Sequence, residues 1–524
     1  MLAIGYDYGT TTSWMTVWDG ERKGNASMPS ALLLRRNPNE VVFGEEAVCQ
    51  IDTGDFVKSP KRYIVDNQMP DFAQRYHYNV ADVLKSFSEK MVENVRPHGI
   101  SNAPVHVTVT IPNCYDGEQM RFMRESLGEM FAQRYGKCRL HLLPEPIAAA
   151  LYYVMSVPIP GGAREEKYMV TCDIGGGTTD LSVIWFSRSA VGDGRFDVMF
   201  KVVATVSDAC LGGDDIDSML FNSKLHAVDG DLVDKNTARM RVMEAKECLS
   251  HRDSTDVKVY LNNGREFSCI FNKRDLTYQL NTTPFGECES TFNARLSNLM
   301  LQLKNRTENN VAQGRNIGNA RFNWGNVLLL PIGGSMRIPH LRQIFQNAFI
   351  GAQMCDLRNE SDGSYNSVVY GAMYHSAVMG GMSSLCVRNI DIIGRSRFPV
   401  SVEYMQRLYP LVQTNMPDGI YNTDRIRPLR VYDDGTFEIS SIRLFSREDD
   451  SVVNDSDVPD FELPIGRTFM SNGRDAQDIP IKLSLNVVNS EILWAKVVIE
   501  NIDADGNDFI EEYSAETILR SNQC

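Results

Sequence analysis

The stretch "TCDIGGGTTDLSVIW", residues 171–185, sets three consecutive glycines and two threonines between Asp173 and a run of β-branched and aromatic residues. A Walker loop or a dinucleotide-binding turn would lead from a strand into a helix. Here the third glycine of the dinucleotide pattern is replaced by Asp180, and the following "LSVIW" is strand-like. The turn therefore joins two strands. Near the start stands "GYDYGTTTSWMTVW", and the two stretches superpose with Asp7 on Asp173, Gly9 on Gly175, Thr12 on Thr178 and Val17 on Val183, 166 residues apart. A turn that merely reverses the chain needs no matched Asp and Thr.

A glycine hairpin of this kind presents successive backbone N–H groups to a phosphate, and the hydroxyls of Thr10, Thr11 and Thr178 add donors. Asp7 and Asp173, one at each turn entrance, suit a hydrated Mg²⁺, which keeps several waters and takes one or two carboxylates. Two such hairpins face to face would grip a nucleoside triphosphate from both sides.

Composition narrows the setting. A chain of 524 residues is too long for one ordinary core, so two or three domains are expected. No stretch approaches the roughly 20 uninterrupted apolar residues of a membrane span, and no charged leader precedes an apolar segment, so a cytoplasmic address is expected. The eleven cysteines include no Cys-x-x-Cys, and no two of the eight histidines stand four apart. Neither a disulfide framework nor a zinc site is suggested. A net charge of −14 disfavours a nucleic-acid partner.

The texture changes near residue 385. Before it, strands alternate with helical runs at 81–95, 146–155 and 236–250, an α/β pattern. After it the reading is all-β. "PLRVYDDGTFEISSIRLF" (428–445) predicts two strands around Asp434-Gly435, and "IPIKLSLNVV" with "EILWAKVVIEN" predicts a hairpin at Asn489-Ser490. "NIDADGNDF" (501–509) lacks the glycine and glutamate of a calcium loop and reads as a hairpin turn. The expected division is a nucleotide-binding domain at 1–383, a linker at 384–393, a β domain at 394–512 and a short tail at 513–524.

Duplicated Asp-x-Gly hairpins resemble the superfamily of actin, sugar kinases and the Hsp70 ATPase, and further motifs single out Hsp70. "SPKRYI" (59–64) resembles the segment bearing its catalytic lysine, here Lys61, and "LLPEPIAAALYY" (142–153) the one bearing its catalytic glutamate, here Glu145. "CLGGDDID" (210–217) and "PIGGSMRIPHLRQIF" (331–345) resemble two more Hsp70 stretches, the second its adenosine motif. The matches run in the family's order over nearly all of residues 1–380.

The resemblance implies a two-lobed actin-like ATPase domain followed by an all-β sandwich, with ATP and Mg²⁺ as ligands. By it Lys61 orients the attacking water and neutralises developing charge, while Glu145 and Asp173, with Asp7 opposite, hold Mg²⁺ and water through outer-sphere hydrogen bonds. Thr178 acts with them. Gly9, Thr10, Thr11, Gly175, Gly176 and Gly177 cradle phosphates. Gly333, Gly334, Ser335 and Arg337 lie near the nucleoside, and Lys246 and Ser250 contact it from the helix "MEAKECLS". Pro112 matches the proline that passes the nucleotide state between lobes. Implied partners are extended peptide segments, a J-domain co-chaperone and an exchange factor, with no nucleic acid and no membrane.

The sequence also departs from the family. Met243 and Glu247 stand where its adenosine helix carries glutamate and arginine, and Tyr365 where it shows aspartate. A base selectivity or affinity different from the family's is expected. His141, with Arg139 two residues earlier, occupies the position of the arginine that receives J-domains, and the linker includes Arg388, although Asp391 matches its terminal aspartate. Coupling to a J-protein is expected to be weak or to use a dedicated partner. No helical lid follows the β region, so bound peptide should leave quickly. Three functions fit: a lidless chaperone ATPase, a nucleotide-sensing interaction protein with one dedicated partner, and a small-molecule kinase.

Overall fold

A computed structural model describes the chain apart from residues 37–38, 65–67, 71–75, 77, 96–103, 114, 116, 158–163, 193, 286–289, 313–321, 356–365, 383–384, 394–399, 405, 413–418, 429, 446–460, 472, 480, 489–490, 503–507 and 516–524. Tyr365 lies outside the described residues. The chain divides into two compact units, Met1–Asp391 and Ile392–Cys524. Among the described residues no helix is long and apolar enough to cross a membrane.

The repeat seen in the sequence is a repeat of whole sheets. In the first lobe of the larger unit, Leu2–Asp7 and Thr12–Trp18 form the first glycine hairpin, and Lys23–Pro29 completes an antiparallel meander. Val105–Ile111 and Cys138–Pro144 add in parallel on the other side of Leu2–Asp7. The second lobe repeats that order with the hairpin Arg164–Ile174 and Thr179–Gly192, the meander strand Arg195–Asp208, and Leu328–Ile332 and Gln353–Met354 in parallel. Val105–Ile111 is buried throughout, as a parallel strand covered on both faces requires.

The expected helical runs are the helices Val80–Val95, Glu145–Ser156 and Lys235–Leu249. Glu145–Ser156 meets Ser367–Met379 at a backbone-to-backbone crossing. A Cβ on Gly371 would sit 1.8 Å from the carbonyl oxygen of Ala148, and one on Gly5 would sit 2.2 Å from that of Val369. Ser376 Oγ donates to the Ile4 carbonyl at 2.8 Å. No rotamer relieves a Cβ, so Gly371→Ala should destabilise the larger unit by about 3 kcal/mol. A urea midpoint equal to wild type would refute this close packing.

Three expectations require correction. Val387–Ile393, read as part of a linker, is an edge strand of the second lobe's sheet beside Arg195–Asp208. Leu385, Val387 and Ile390 are buried, the Phe196 N–H donates to the Cys386 carbonyl at 2.8 Å, and Arg388 pairs with Asp197 at 2.5 and 2.9 Å. Of the two strands expected at 428–445, the first is absent among the described residues: Thr436–Phe445 is a strand, but it pairs with Phe461–Met470 and Val400–Tyr404. Asp434 Oδ1 instead caps the Thr436 N–H at 3.0 Å, closing a turn in which Gly435 has φ 78°. The tail expected at 513–524 begins inside the strand Asp508–Ala515.

The smaller unit holds two four-stranded antiparallel sheets, one containing Val400–Tyr404, Arg407–Val412, Thr436–Phe445 and Phe461–Met470, the other Gly419–Ile426, Ile481–Val488, Glu491–Ile502 and Asp508–Ala515. Ile481–Val488 pairs with Glu491–Ile502, as expected around 489–490, and Ile502 opposite Asp508 closes the hairpin read at 501–509. The turns themselves lie outside the described residues.

Candidate functional site

Both glycine hairpins point their tips into one cavity of about 340 Å³. Gly9, Thr10 and Thr11 come from the first hairpin, and Gly175, Gly176 and Thr178 from the second. The tips nearly touch, since a Cβ on Gly176 would lie 1.9 Å from Thr11 Oγ1. Gly177 does not line the cavity; its Cα faces the Arg62 guanidinium, which a Cβ would meet at 2.7 Å.

Neighbouring elements fix each tip. Ser30 accounts for the first, donating from Oγ to the Gly9 carbonyl at 2.7 Å and from its backbone N–H to the Thr11 carbonyl at 2.8 Å. The N-terminus of the helix Gly213–Leu225 accounts for the second: the Gly213 and Asp214 N–H groups donate to the Gly175 and Gly176 carbonyls at 2.9 and 2.7 Å. Those carbonyls are thus occupied, and the Gly175 N–H closes the turn on the Thr178 carbonyl at 3.0 Å.

Lys61 and Glu145 meet in the cavity floor, Nζ to Oε1 at 2.8 Å, and both are buried. Pro60 opens the short 3-10 turn that carries Lys61, and Ser59 before it holds φ 58°, a left-handed conformation that a non-glycine residue rarely keeps. The Ser59 N–H donates to the Ser30 carbonyl at 2.9 Å, so one serine backs both the first tip and the lysine turn. Glu145 opens the helix Glu145–Ser156 directly before Pro146, where the helix dipole favours an acid.

Asp7 ends its strand and accepts a hydrogen bond from Thr110 Oγ1 at 2.9 Å. Burial, and then the Glu145 carboxylate, push its pKa up to about 6 despite Lys61. Burial and the charges of Glu145, Asp180 and Asp7 raise Asp173 well above the carboxylate range. Burial alone would lower the Lys61 ammonium, but Glu145, Tyr115 and Asp7 overcome it and leave the pKa raised. The buried Glu145 and Asp173 and the half-buried Asp7 thus face one ammonium, a charge imbalance that favours a further cation. Among the described residues no group of three or more His, Cys, Asp or Glu is placed to ligate a metal directly, so the carboxylates suit an ion held through water.

The opposite end is built by the helix Lys235–Leu249 with its cap Ser250, and by the 3-10 turn Gly334–Arg337. Lys246, Glu247, Ser250, Gly333, Gly334, Ser335 and Arg337 all line it, whereas Met243 does not. Lys246 Nζ donates to the Gly213 carbonyl and pairs with Asp217 Oδ1, each at 2.9 Å. Gly333 has φ 80°, and a Cβ there would lie 2.5 Å from Asp173 Oδ1 and 2.5 Å from the Ile174 carbonyl. Every candidate except Gly177 therefore lines one cavity. Ser30, Ser59 and Thr110 are supports that sequence reading missed, because lone hydroxyl residues on separate strands carry no spacing signal.

The Hsp70 protein family model matches residues 57–405, about two thirds of the chain. The chain belongs to the Hsp70 family. It is 25% identical over 441 residues to the heat shock cognate HSP70 protein of Trypanosoma brucei brucei, covering 76% of this chain and 60% of that protein. It is 28% identical over 291 residues to the chaperone protein HscA of Pectobacterium carotovorum, covering 49% and 44%. With the heat shock cognate 70 kDa protein 3 of Dictyostelium discoideum it shares 24% over 453 residues, or 77% and 64%. The chain thus spans less than two thirds of each of these relatives. Hsp70 proteins are ATPases with an actin-like nucleotide-binding domain, and the duplicated sheets here are laid out as that fold requires.

Elsewhere in this Hsp70 unit the structure packs a histidine cluster, with His106 and His375 buried and His141 half-buried. His141 Nε2 lies 3.3 Å from His106 Nδ1, the rings of His141 and His375 meet edge to face, and His375 Nδ1 is 2.9 Å from Thr108 Oγ1. Burial, followed by His106, Arg124 and Arg139, lowers His141 to about 4; burial and His141 lower His375 to about 3. The folded state resists protonation that an unfolded histidine accepts near 6.5, so this contribution is lost as pH falls below that value. Asp7, raised, acts in the opposite sense, so the test is differential. Between pH 7 and 5 the wild type should lose about 2 kcal/mol relative to His375→Asn. Parallel urea midpoints across that range would refute it.

Proposed function

We propose that the chain hydrolyses ATP by the Hsp70 mechanism and couples its nucleotide state to binding of extended peptide segments. The observation that carries this reading is the convergence of Lys61, Glu145, Asp7 and Asp173 at the junction of two glycine hairpins. Phosphoryl transfer to water needs positioning and electrostatic stabilisation more than covalent chemistry.

In this scheme the hydroxyls of Thr10, Thr11 and Thr178 and the N–H groups of the two tips bind the β and γ phosphates. Lys61, kept charged by Glu145, stabilises charge developing on the transferred phosphoryl and orients the attacking water. Asp7, Glu145 and Asp173 accept hydrogen bonds from ordered water. A Mg²⁺ ion, when bound, supplies further charge neutralisation at the phosphates. The Gly333–Arg337 turn, Lys246 and Ser250 hold the nucleoside.

The smaller unit is proposed as a β-sandwich that takes an extended peptide through main-chain hydrogen bonds and side-chain pockets. A J-domain protein and an exchange factor are the proposed regulators, in the cytoplasm. One observation favours the second reading, a nucleotide sensor with a dedicated partner. His141 is half-buried, stacked on His106 and held neutral, so it offers no cation where the family presents arginine. Single-turnover hydrolysis of ATP with Mg²⁺ and no acceptor tests the core proposal. Binding without hydrolysis would leave the sensor or a kinase.

A further inference from the structure

The base end of the cavity has an unusual charge arrangement. Three charged side chains line it: Lys246, Glu247 and Arg337. Lys246 is buried and engaged with the Gly213 carbonyl and Asp217. Glu247 is exposed at the cavity wall, and among the described residues no hydrogen bond or ion pair holds its carboxylate. Ser250, three residues on and one helical turn away, lines the same wall. An ionised carboxylate can only accept hydrogen bonds, and it binds best to two parallel donors.

We infer that Glu247 selects the base, favouring guanine over adenine. The inference rests on the nucleotide-site reading above. Guanine presents two adjacent donors, N1–H and the N2 amino group, on one edge. Adenine presents one amino donor beside the N1 lone pair, which a carboxylate repels, and cytosine presents the equivalent amino group and N3 lone pair. Uracil offers a single N–H flanked by carbonyls. Arg337 supplies a cation suited to the face of any base, and so does not discriminate. Glu247 is the group at this wall whose chemistry distinguishes the bases most strongly.

Calorimetric titration of the full chain with GDP, IDP, ADP and 2′-deoxy-GDP in Mg²⁺ buffer tests the assignment, the diphosphates avoiding turnover. GDP should bind at least about tenfold tighter than ADP, with IDP, which keeps N1–H but lacks the amino group, between them. Glu247→Gln should bring GDP and ADP within about threefold, and Glu247→Arg should reverse the order. Glu247 is exposed, so both variants should melt as the wild type does.

ADP binding as tightly as GDP would overturn the inference and leave the nucleotide site standing. A guanine preference unchanged in Glu247→Gln would overturn it too. A loss confined to the 2′-deoxy compound, with GDP and ADP alike, would assign the carboxylate to the ribose and also overturn it. Binding of neither diphosphate by folded protein would overturn the nucleotide-site reading, and the base assignment with it.

Discussion

Lys61→Met should reduce single-turnover ATP hydrolysis by at least about a hundredfold while leaving nucleotide affinity within about tenfold of wild type. A fixed donor aimed at developing charge is worth about that much in a water-poor site, whereas the hairpin tips supply most of the proposed phosphate contacts. The substitution also strands Glu145, since the 2.8 Å pair with Lys61 is buried. Breaking one side of a buried pair costs about 3–5 kcal/mol, so lost activity alone would be ambiguous. The double variant Lys61→Met with Glu145→Gln resolves it, because both charges of the pair are removed together. Stability should return and hydrolysis should not. Hydrolysis persisting in folded Lys61→Met would refute the assigned mechanism.

Gly333→Ala should weaken nucleotide binding by about a hundredfold or more. At φ 80° an alanine is strained wherever it sits. Its Cβ would also lie 2.5 Å from both Asp173 Oδ1 and the Ile174 carbonyl. The carboxylate can rotate away, but the backbone oxygen cannot, so relief requires the 3-10 turn to move off the second hairpin. That shift displaces Ser335 and Arg337 from the proposed base end and Asp173 from the proposed phosphate end together. Gly334→Ala is the control: its Cβ would meet no protein atom within 4 Å. Gly334→Ala should therefore fold as wild type. Equal calorimetric affinity of Gly333→Ala and wild type would show that the turn does not shape the site.

What the sequence made legible was whatever repeats or punctuates. The matched Asp, Gly and Thr of residues 7–12 and 173–178 announced two hairpins, and the structure extends the duplication to five strands in each lobe. Lys61 and Glu145 were another matter. Their 84-residue separation carries no chemical signal, and only family resemblance brought them together. Ser30 was invisible because its partners Gly9, Thr11 and Ser59 reach it through main-chain atoms, which any sequence possesses. The segment at 387–393 looked like a linker because the α/β texture gives way to β there, but a change of texture does not show which sheet the segment joins; Asp197 on the neighbouring strand answers Arg388. The hairpin expected at 428–445 failed for a related reason: an Asp-Gly turn fixes a reversal locally, but not which strand the next one joins.

The contact between Ser376 and Ile4 joins residues 372 apart in the chain. On a ribosome, the strand that ends in Asp7 emerges long before the helix Ser367–Met379 that packs on it. At roughly 5–20 residues per second, the two are separated by roughly 20–75 s of synthesis. During that interval the face of the strand that carries Ala3 and Gly5, where the finished fold packs that helix, stays uncovered. Until that helix is made, the first strand is held by its sheet neighbours Thr12–Trp18 and Val105–Ile111 and not yet by the helix.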